Sequence, residues 1–241
     1  MDLKGIILAG GTGSRLMPLT KVTNKHLLPV GRKPMIYYPI EKLTSIGIRQ
    51  ILVVTGVEHM GDVVSLLGSG RDFGCRFTYR VQDQAGGIAQ ALGMAEDFAA
   101  GSGIAVILGD NIFKDSLRPY AERFIRQRRG ARVLLKKVPD PQRFGVAVLD
   151  DDRITAIEEK PASPKSDYII TGVYFYDATV FDIIKTLKPS ARGELEITDV
   201  NNNYIARNEL AHDILEGWWT DAGTFASLDR ANDLVLKEPP L

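Results

Sequence analysis

Gly5-Ile6-Ile7-Leu8-Ala9-Gly10-Gly11-Thr12-Gly13-Ser14-Arg15-Leu16 decides how the rest of this chain is read. A short apolar run of this kind predicts a buried β-strand, and it breaks directly into a glycine-rich turn that ends in an arginine. Glycines let main-chain N–H groups approach an anion closely, and an arginine adds a planar fork that matches phosphate oxygens. The pattern predicts a nucleotide-phosphate cradle. It is not a Walker A loop, because no Gly-Lys-Ser/Thr follows. It is not a dinucleotide fingerprint either, because Leu16 stands where the third glycine belongs.

Outward from this loop, apolar runs alternate with amphipathic stretches. Strands are predicted at Lys4–Ala9, Gln50–Thr55, Arg76–Val81, Ile104–Leu108 and Ala131–Val138. Helices are predicted at Met35–Ile46, Met60–Leu67, Ile88–Phe98 and Leu117–Arg128, with Pro34 suited to a first helical turn. Such alternation implies an α/β fold, a Rossmann-like and mostly parallel sheet with helices on both faces. The second half changes character. Phe144–Leu149 and Ile154–Glu159 flank Asp150-Asp151-Asp152-Arg153 as a hairpin, and Tyr168–Tyr176 reads as another strand. Val180–Leu187 and Thr198–Arg207 read as helices, Trp219–Gly223 as a loop, and Thr224 as the cap of a last helix to about Leu236. No linker or repeat interrupts the chain. The expectation is a single domain over 1–241, with the phosphate-cradle half at about 1–130 and a smaller β lobe at about 131–241.

The 241 residues carry 30 basic and 30 acidic side chains and 44% hydrophobic residues. That is enough for one substantial core, and the balanced charge gives no field that favours nucleic acid. The one cysteine, Cys75, cannot form an internal disulfide and reads as a small buried hydrophobe. No export signal or membrane-length apolar run is visible, so a cytoplasmic protein with no membrane partner is expected.

Two acidic positions stand out. Asp110 follows Ile104–Leu108 and Gly109, at the carboxyl end of a predicted strand, where open α/β sheets bind ligands. Asp221 lies in the Trp219–Gly223 loop. Taken singly, each aspartate reads more often as a turn or cap residue. Gln82 ends a strand ahead of Gly86-Gly87, and its amide offers both a donor and an acceptor to a pyrimidine edge. A plain polar strand end fits that glutamine as well. His26, His59 and His212 show no metal-ligand spacing, and no Ser-His-Asp arrangement is present.

The chain resembles the sugar-1-phosphate nucleotidyltransferases. Gly10–Leu16, Pro18-Leu19-Thr20 and Asn24-Lys25-His26-Leu27-Leu28-Pro29-Val30 carry the likeness, and Lys33-Pro34-Met35-Ile36-Tyr37-Tyr38-Pro39 resembles the thymidylyltransferase branch. It continues in the same order through Leu108–Phe113, Glu158-Glu159-Lys160-Pro161, Thr171–Asp177, Ala191–Asp199 and Trp219–Thr224. The resemblance implies the nucleotide-diphospho-sugar transferase fold. It implies catalytic roles for Arg15, Lys25, Asp110, Lys160 and Asp221, with Asp110 and Asp221 as Mg²⁺ ligands. Gly10, Gly11, Gly13, Ser14, Arg15, Lys25, His26, Gln82, Gly87 and Asp110 would bind the nucleotide. Gly145, Glu159, Lys160, Val173, Arg192 and Trp219 would bind the sugar phosphate.

Two positions depart from the family pattern: Ala85 and Gly86 replace a usual proline and aspartate, and His26 replaces a usual glutamine. The first predicts a more flexible base loop. The second predicts a phosphate contact that changes with pH near neutrality. The implied reaction joins dTTP and glucose 1-phosphate to give dTDP-glucose and pyrophosphate, by direct in-line attack. Uridylyl transfer and a non-catalytic nucleotide-sugar sensor are the alternatives. A homo-oligomer is expected. Longer relatives continue into a C-terminal segment tied to an allosteric site, so feedback at a second site is expected to be weak or absent here.

Overall fold

The computed structural model describes residues 2–241. Four strands of the first half form its centre: β1 (Leu3–Ala9), β4 (Gln50–Gly56), β5 (Arg76–Gln82) and β6 (Gly103–Leu108). They lie in the order β6-β1-β4-β5 and pair in parallel throughout. The inner strands β6, β1 and β4 are apolar almost without a break because both faces are covered, whereas the edge strand β5 alternates polar and apolar residues. Ile6 and Leu8 enter one core layer, whereas Ile7 and Ala9 enter the opposite one. Burying each large aliphatic side chain contributes about 1.5–3 kcal/mol, so these rows fix β1 at the middle of the sheet.

The helices divide between the two faces. On one lie α1 (Tyr37–Ser45), α2 (Met60–Leu67) and α5 (Arg118–Gln127), which bury Ile40 and Leu43, Val63 and Leu67, and Tyr120 and Phe124. On the other lie α3 (Ile88–Gly93), α4 (Glu96–Ala99), α6 (Val180–Thr186) and α7 (Ile197–Ala206). A third, smaller core beneath the glycine loop gathers Leu16, Met35, Ile112 and Leu228, the last from α8 (Phe225–Lys237). Thr224 caps α8 through a reciprocal capping box with Ser227, as its sequence predicts.

The second half extends the sheet with antiparallel pairing. The long strand β11 (Tyr168–Tyr176) lies antiparallel to β6 and also pairs β8 (Ala131–Lys137) and β9 (Gly145–Asp150). The hairpin of β9 and β10 (Arg153–Glu159) forms one edge, with register running from Asp150–Arg153 to Gly145–Glu159. Sequence periodicity misses β12 (Leu210–Ile214), a partly exposed, polar strand that runs parallel to β8.

Three local expectations are corrected. Pro34 is not in a helical turn: Lys33–Pro34 forms β3, paired with β2 (Pro29–Val30), and α1 starts at Tyr37. The N–H groups of Met35 and Ile36 are already bonded to the carbonyls of Leu28 and His26, which delays the helix. The predicted Ile88–Phe98 helix breaks after Gly93, a residue of low helix propensity, into α3 and α4. The third correction is the Trp219–Gly223 loop. Trp219–Asp221 is a strand, β13, antiparallel to β7 (Asn111–Phe113), so Asp221 lies opposite Asn111.

Candidate active site

Going from β1 to β4 and β5 moves the chain one way across the sheet, and β6 returns to the other side of β1. A cleft opens where the order reverses, at the carboxyl ends of β1 and β6. There a cavity of about 350 Å³ is lined by Leu8, Gly10, Leu108 and Asp110 among others.

Strand pairing explains how two distant aspartates meet there. Asp110 sits just before β7, Asp221 ends β13, and the Ala222 N–H donates to the Asp110 carbonyl at 2.8 Å. Gly223 marks the meeting point. A Cβ built on it would lie 3.1 Å from Arg15 Nη2, 3.5 Å from Asp110 Oδ2 and 3.6 Å from Asp221 Oδ2. Any larger residue at 223 would therefore crowd the space that both carboxylates and the guanidinium share.

The two acids differ in acidity. Burial pushes the Asp110 carboxyl up, but the Lys25 ammonium 2.6 Å away outweighs it and holds the group well below the usual carboxylate range. Asp221 is pushed up to about 6, first by burial and then by the charge of Asp110, against the pull of Arg143 and Arg15. Arg143 Nη2 lies 3.5 Å from Asp221 Oδ2, while its Nη1 donates to Asp140 at 2.8 Å.

Asn111 holds the acid in place. Its Nδ2 donates to Asp110 Oδ1 at 3.1 Å, and its Oδ1 accepts from Trp219 Nε1 and Gly172 N, each at 2.8 Å. Trp219 packs edge-on to Phe144 with ring centroids 5.5 Å apart.

Near the glycine loop, Gln82 Nε2 donates to Gln90 Oε1 at 2.7 Å, and its Oε1 lies 3.0 Å from a Cβ built on Gly10. Gly87, at φ 97°, has no room for a side chain: a Cβ would stand 2.4 Å from the Leu195 carbonyl. Its close approach is thus to the chain's own backbone, which ties the base loop to the segment before α7. At the end of β10, Glu159 accepts from Thr198 Oγ1 at 2.6 Å, and Lys160 Nζ lies 3.6 Å from Glu159.

Gly10, Gly11, Arg15, Lys25, His26, Gln82, Gly87, Asp110, Gly145, Glu159, Lys160, Trp219 and Asp221 all line the cavity. Four expected site residues do not. Gly13 and Ser14 begin the short 3-10 turn that ends the glycine loop, where Gly13 accepts from Thr20 Oγ1 at 2.8 Å. Val173 directs its side chain into the core layer opposite the cavity, which Gly172 and Tyr174 face instead, as strand alternation requires. Arg192 spends its guanidinium on Glu196, at 2.8 and 2.9 Å, and on Glu159 at 3.3 Å.

His26 does not behave as a neutral-pH sensor. It is fully buried, its Nδ1 lies 2.7 Å from Asn24 Oδ1, and burial with the Lys25 charge takes its pKa down to about 3. In the neutral ring Nδ1 donates to Asn24 and Nε2 is left as an acceptor.

Sequence reasoning missed Asn111, Arg143, Tyr174, Thr198 and Asn201, all of which line the cavity. Arg143 carried a readable signal, a cation directly before Phe144-Gly145. The others gave none, since their neighbours come from remote strands.

A parallel sheet with a cleft at its switch point, an acid pair and facing cations is the layout of an α/β nucleotide-handling enzyme. The nucleotidyl transferase family matches residues 4–238, and the chain belongs to that family. A glucose-1-phosphate thymidylyltransferase of Neisseria meningitidis serogroup A is 46% identical over 237 residues, covering 97% of this chain and 82% of that protein. A crystal structure from Bacillus anthracis, provisionally named a glucose-1-phosphate thymidylyltransferase and solved with sucrose, is 64% identical with a TM-score of 0.94. It covers 97% of this chain and 95% of its own. A UDP-glucose pyrophosphorylase complexed with UDP-glucose is 25% identical with a TM-score of 0.86, covering 98% and 99% of the two chains. No helix among the described residues is long and apolar enough to cross a membrane.

Proposed function

We propose that this nucleotidyltransferase moves a thymidylyl group from dTTP to α-D-glucose 1-phosphate, giving dTDP-glucose and pyrophosphate in the cytoplasm. One observation carries the proposal: Asp110, Asp221 and Arg15 converge at Gly223, inside a cavity that also reaches Gln82 and Glu159.

Two carboxylates facing one open point suit Mg²⁺, which takes most of its remaining ligands from phosphate oxygens and water. Asp110 and Asp221 would hold it, and when bound it neutralises charge on the triphosphate. The protein's own residues supply the rest. Lys25 keeps Asp110 ionised and faces the α-phosphate, while Arg15 receives the charge that gathers on the departing pyrophosphate. Lys160 holds the incoming sugar phosphate against repulsion from the triphosphate. A phosphate oxygen of the sugar attacks the α-phosphorus, and the bond to the bridging oxygen breaks with its electron pair leaving on pyrophosphate. The nucleophile is already anionic, so positioning replaces a general base.

Pyrophosphate release from dTTP with glucose 1-phosphate tests this proposal. Turnover with dTTP exceeding that with UTP is the expected result. Equal or better use of UTP would reassign the base, and binding of both substrates without pyrophosphate release would reassign the protein as a sensor.

A further inference from the structure

Gln90 is a partly buried glutamine of α3 that stands behind the residues lining the cavity and has no task in the reaction above. Its Oε1 accepts from two donors, Gln82 Nε2 at 2.7 Å and Gly86 N at 3.1 Å. Gly86 N also donates to the Gln84 carbonyl, and the Gly86 carbonyl accepts from Leu195 N, each at 2.8 Å, so main chain holds this glycine from both sides. Room for the Gln90 amide exists because residue 86 has no side chain. A Cβ there would lie 2.4 Å from Gln90 Cδ, Oε1 and Nε2.

These contacts fix the direction of two amides in turn. A main-chain N–H only donates, so Gln90 turns its oxygen, not its nitrogen, to Gly86. That oxygen then needs a donor from Gln82, which presents Nε2. The Gly87 carbonyl, 3.4 Å from the same nitrogen, requires the same orientation. Turned over, Gln82 would set its oxygen against two acceptor oxygens. Gln82 Oε1 therefore points away from both, to the side of Gly10, where a Cβ would lie 3.0 Å from it.

Oε1 is the end left open to a ligand. Gln82 and Gly10 both line the cavity. Among the described residues, Gln82 Oε1 accepts no hydrogen bond, yet the one fully buried side-chain nitrogen or oxygen without a partner is Asn201 Nδ2. The Gln82 oxygen thus keeps accessible surface. An amide that the sequence reads as donor and acceptor together is here an acceptor alone. An acceptor matches thymine or uracil, whose N3 carries a hydrogen, and opposes cytosine, whose N3 is a lone pair.

We propose that Gln90 is a positioning residue that locks the Gln82 amide with Oε1 toward the base, so that the site selects a pyrimidine bearing N3–H over cytosine. The proposal rests on the nucleotidyltransferase function above and adds a residue that acts on base choice through Gln82. Uracil shares the N3–H edge, so reassigning the donor nucleotide to UTP leaves the role of Gln90 intact.

The test measures binding of dTTP and dCTP by titration calorimetry in wild type, Gln90→Met, Gly86→Ala and Gln90→Glu, with KM for glucose 1-phosphate from steady-state kinetics. Methionine keeps the length but offers only a weak acceptor, whereas glutamate keeps an accepting oxygen at the same reach. Gly86 has no left-handed φ, so alanine there acts by displacing the Gln90 amide. Wild type should bind dTTP more than about ten-fold more tightly than dCTP. Gln90→Met and Gly86→Ala should each bind dTTP about ten-fold more weakly, the scale of one misdirected neutral hydrogen bond, and lose most of that preference. Gln90→Glu should keep the preference, and KM for glucose 1-phosphate should stay within about two-fold throughout. A thermal melt identifies a variant that fails to fold, and the other disrupting variant then decides. An unchanged ratio of dTTP to dCTP affinity in the disrupting variants would overturn the role of Gln90. So would an equal loss for both nucleotides and the sugar phosphate, or a Gln90→Glu variant that behaves like Gln90→Met. Wild type that binds dTTP selectively yet releases no pyrophosphate with any sugar 1-phosphate would overturn the parent function and leave Gln90 its role, so the two failures are told apart.

Discussion

The two ends of the cleft are built from different materials. At the proposed nucleotide end, Gly10, Gly11 and Gly87 offer main chain, and Gln82 is a polar side chain. At the proposed sugar end, Glu159 and Lys160, at and just after the end of β10, and Thr198 of α7 offer side chains. Main-chain recognition depends on backbone shape and tolerates few substitutions that add a Cβ. Side-chain recognition depends on charge and donor–acceptor pattern, and can be retuned one atom at a time. Between them lies the acid pair.

Removing that shared centre should have the largest effect. Changing Asp110 or Asp221 to alanine is expected to lower kcat by roughly 10³-fold, the scale of losing one preorganised electrostatic group in a site. Measured pyrophosphate release that stays near wild type in both variants would show that the ends do not meet there.

The contrast itself is sharpened by one variant at each end. Glu159→Gln keeps the shape but removes a charge, and should raise KM for glucose 1-phosphate by about 10²-fold while leaving KM for dTTP alone. Gly87→Ala should act on the backbone instead. Its Cβ would collide with the Leu195 carbonyl at a left-handed φ, costing about 1–3 kcal/mol of stability and weakening dTTP binding. Calorimetric melting and steady-state kinetics read both. Identical patterns from the two variants would abolish the distinction.

A smaller, pH-dependent effect follows from Asp221. Its folded pKa of about 6 exceeds the ordinary value of 3.8, so its contribution to stability is full below pH 3.8 and lost as pH rises through about 6. Mg²⁺ needs the ionised form, so metal binding runs the opposite way. Affinity measured by titration calorimetry should be about ten-fold weaker at pH 5 than at pH 7, with a plateau above. An affinity independent of pH across that range would show that Asp221 is not a ligand. His26, with its pKa near 3, adds no inflection between pH 6 and 8.

The smallest effect is expected at Arg192. Its guanidinium is committed to Glu196 and Glu159, so Arg192→Gln should cost stability but leave KM for glucose 1-phosphate within about two-fold. A large rise in KM would return Arg192 to the proposed sugar end.

The sequence exposed the main-chain end far better than the side-chain end. Gly10, Gly11 and Arg15 follow an apolar strand, and that strand-to-turn signal is local. Val173 shows the limit. It sits inside a matching stretch, yet alternation along β11 sends its side chain to the opposite layer and leaves Gly172 and Tyr174 at the cavity. Asn111 and Asn201 look like ordinary polar residues until Trp219, Gly172 and Tyr176 arrive from elsewhere in the chain.

Periodicity and turn chemistry, which act over a few residues, were enough to determine the parallel strands, most helices, the β9–β10 hairpin and the cap at Thr224. Resemblance along the chain was enough to name the acids. Only tertiary structure decided that Asp221 lies on a strand beside Asp110, that Arg192 is spent on a glutamate, and that Asn201 keeps one donor free. Those outcomes depend on pairings between residues far apart in the chain, and no short-range pattern encodes them.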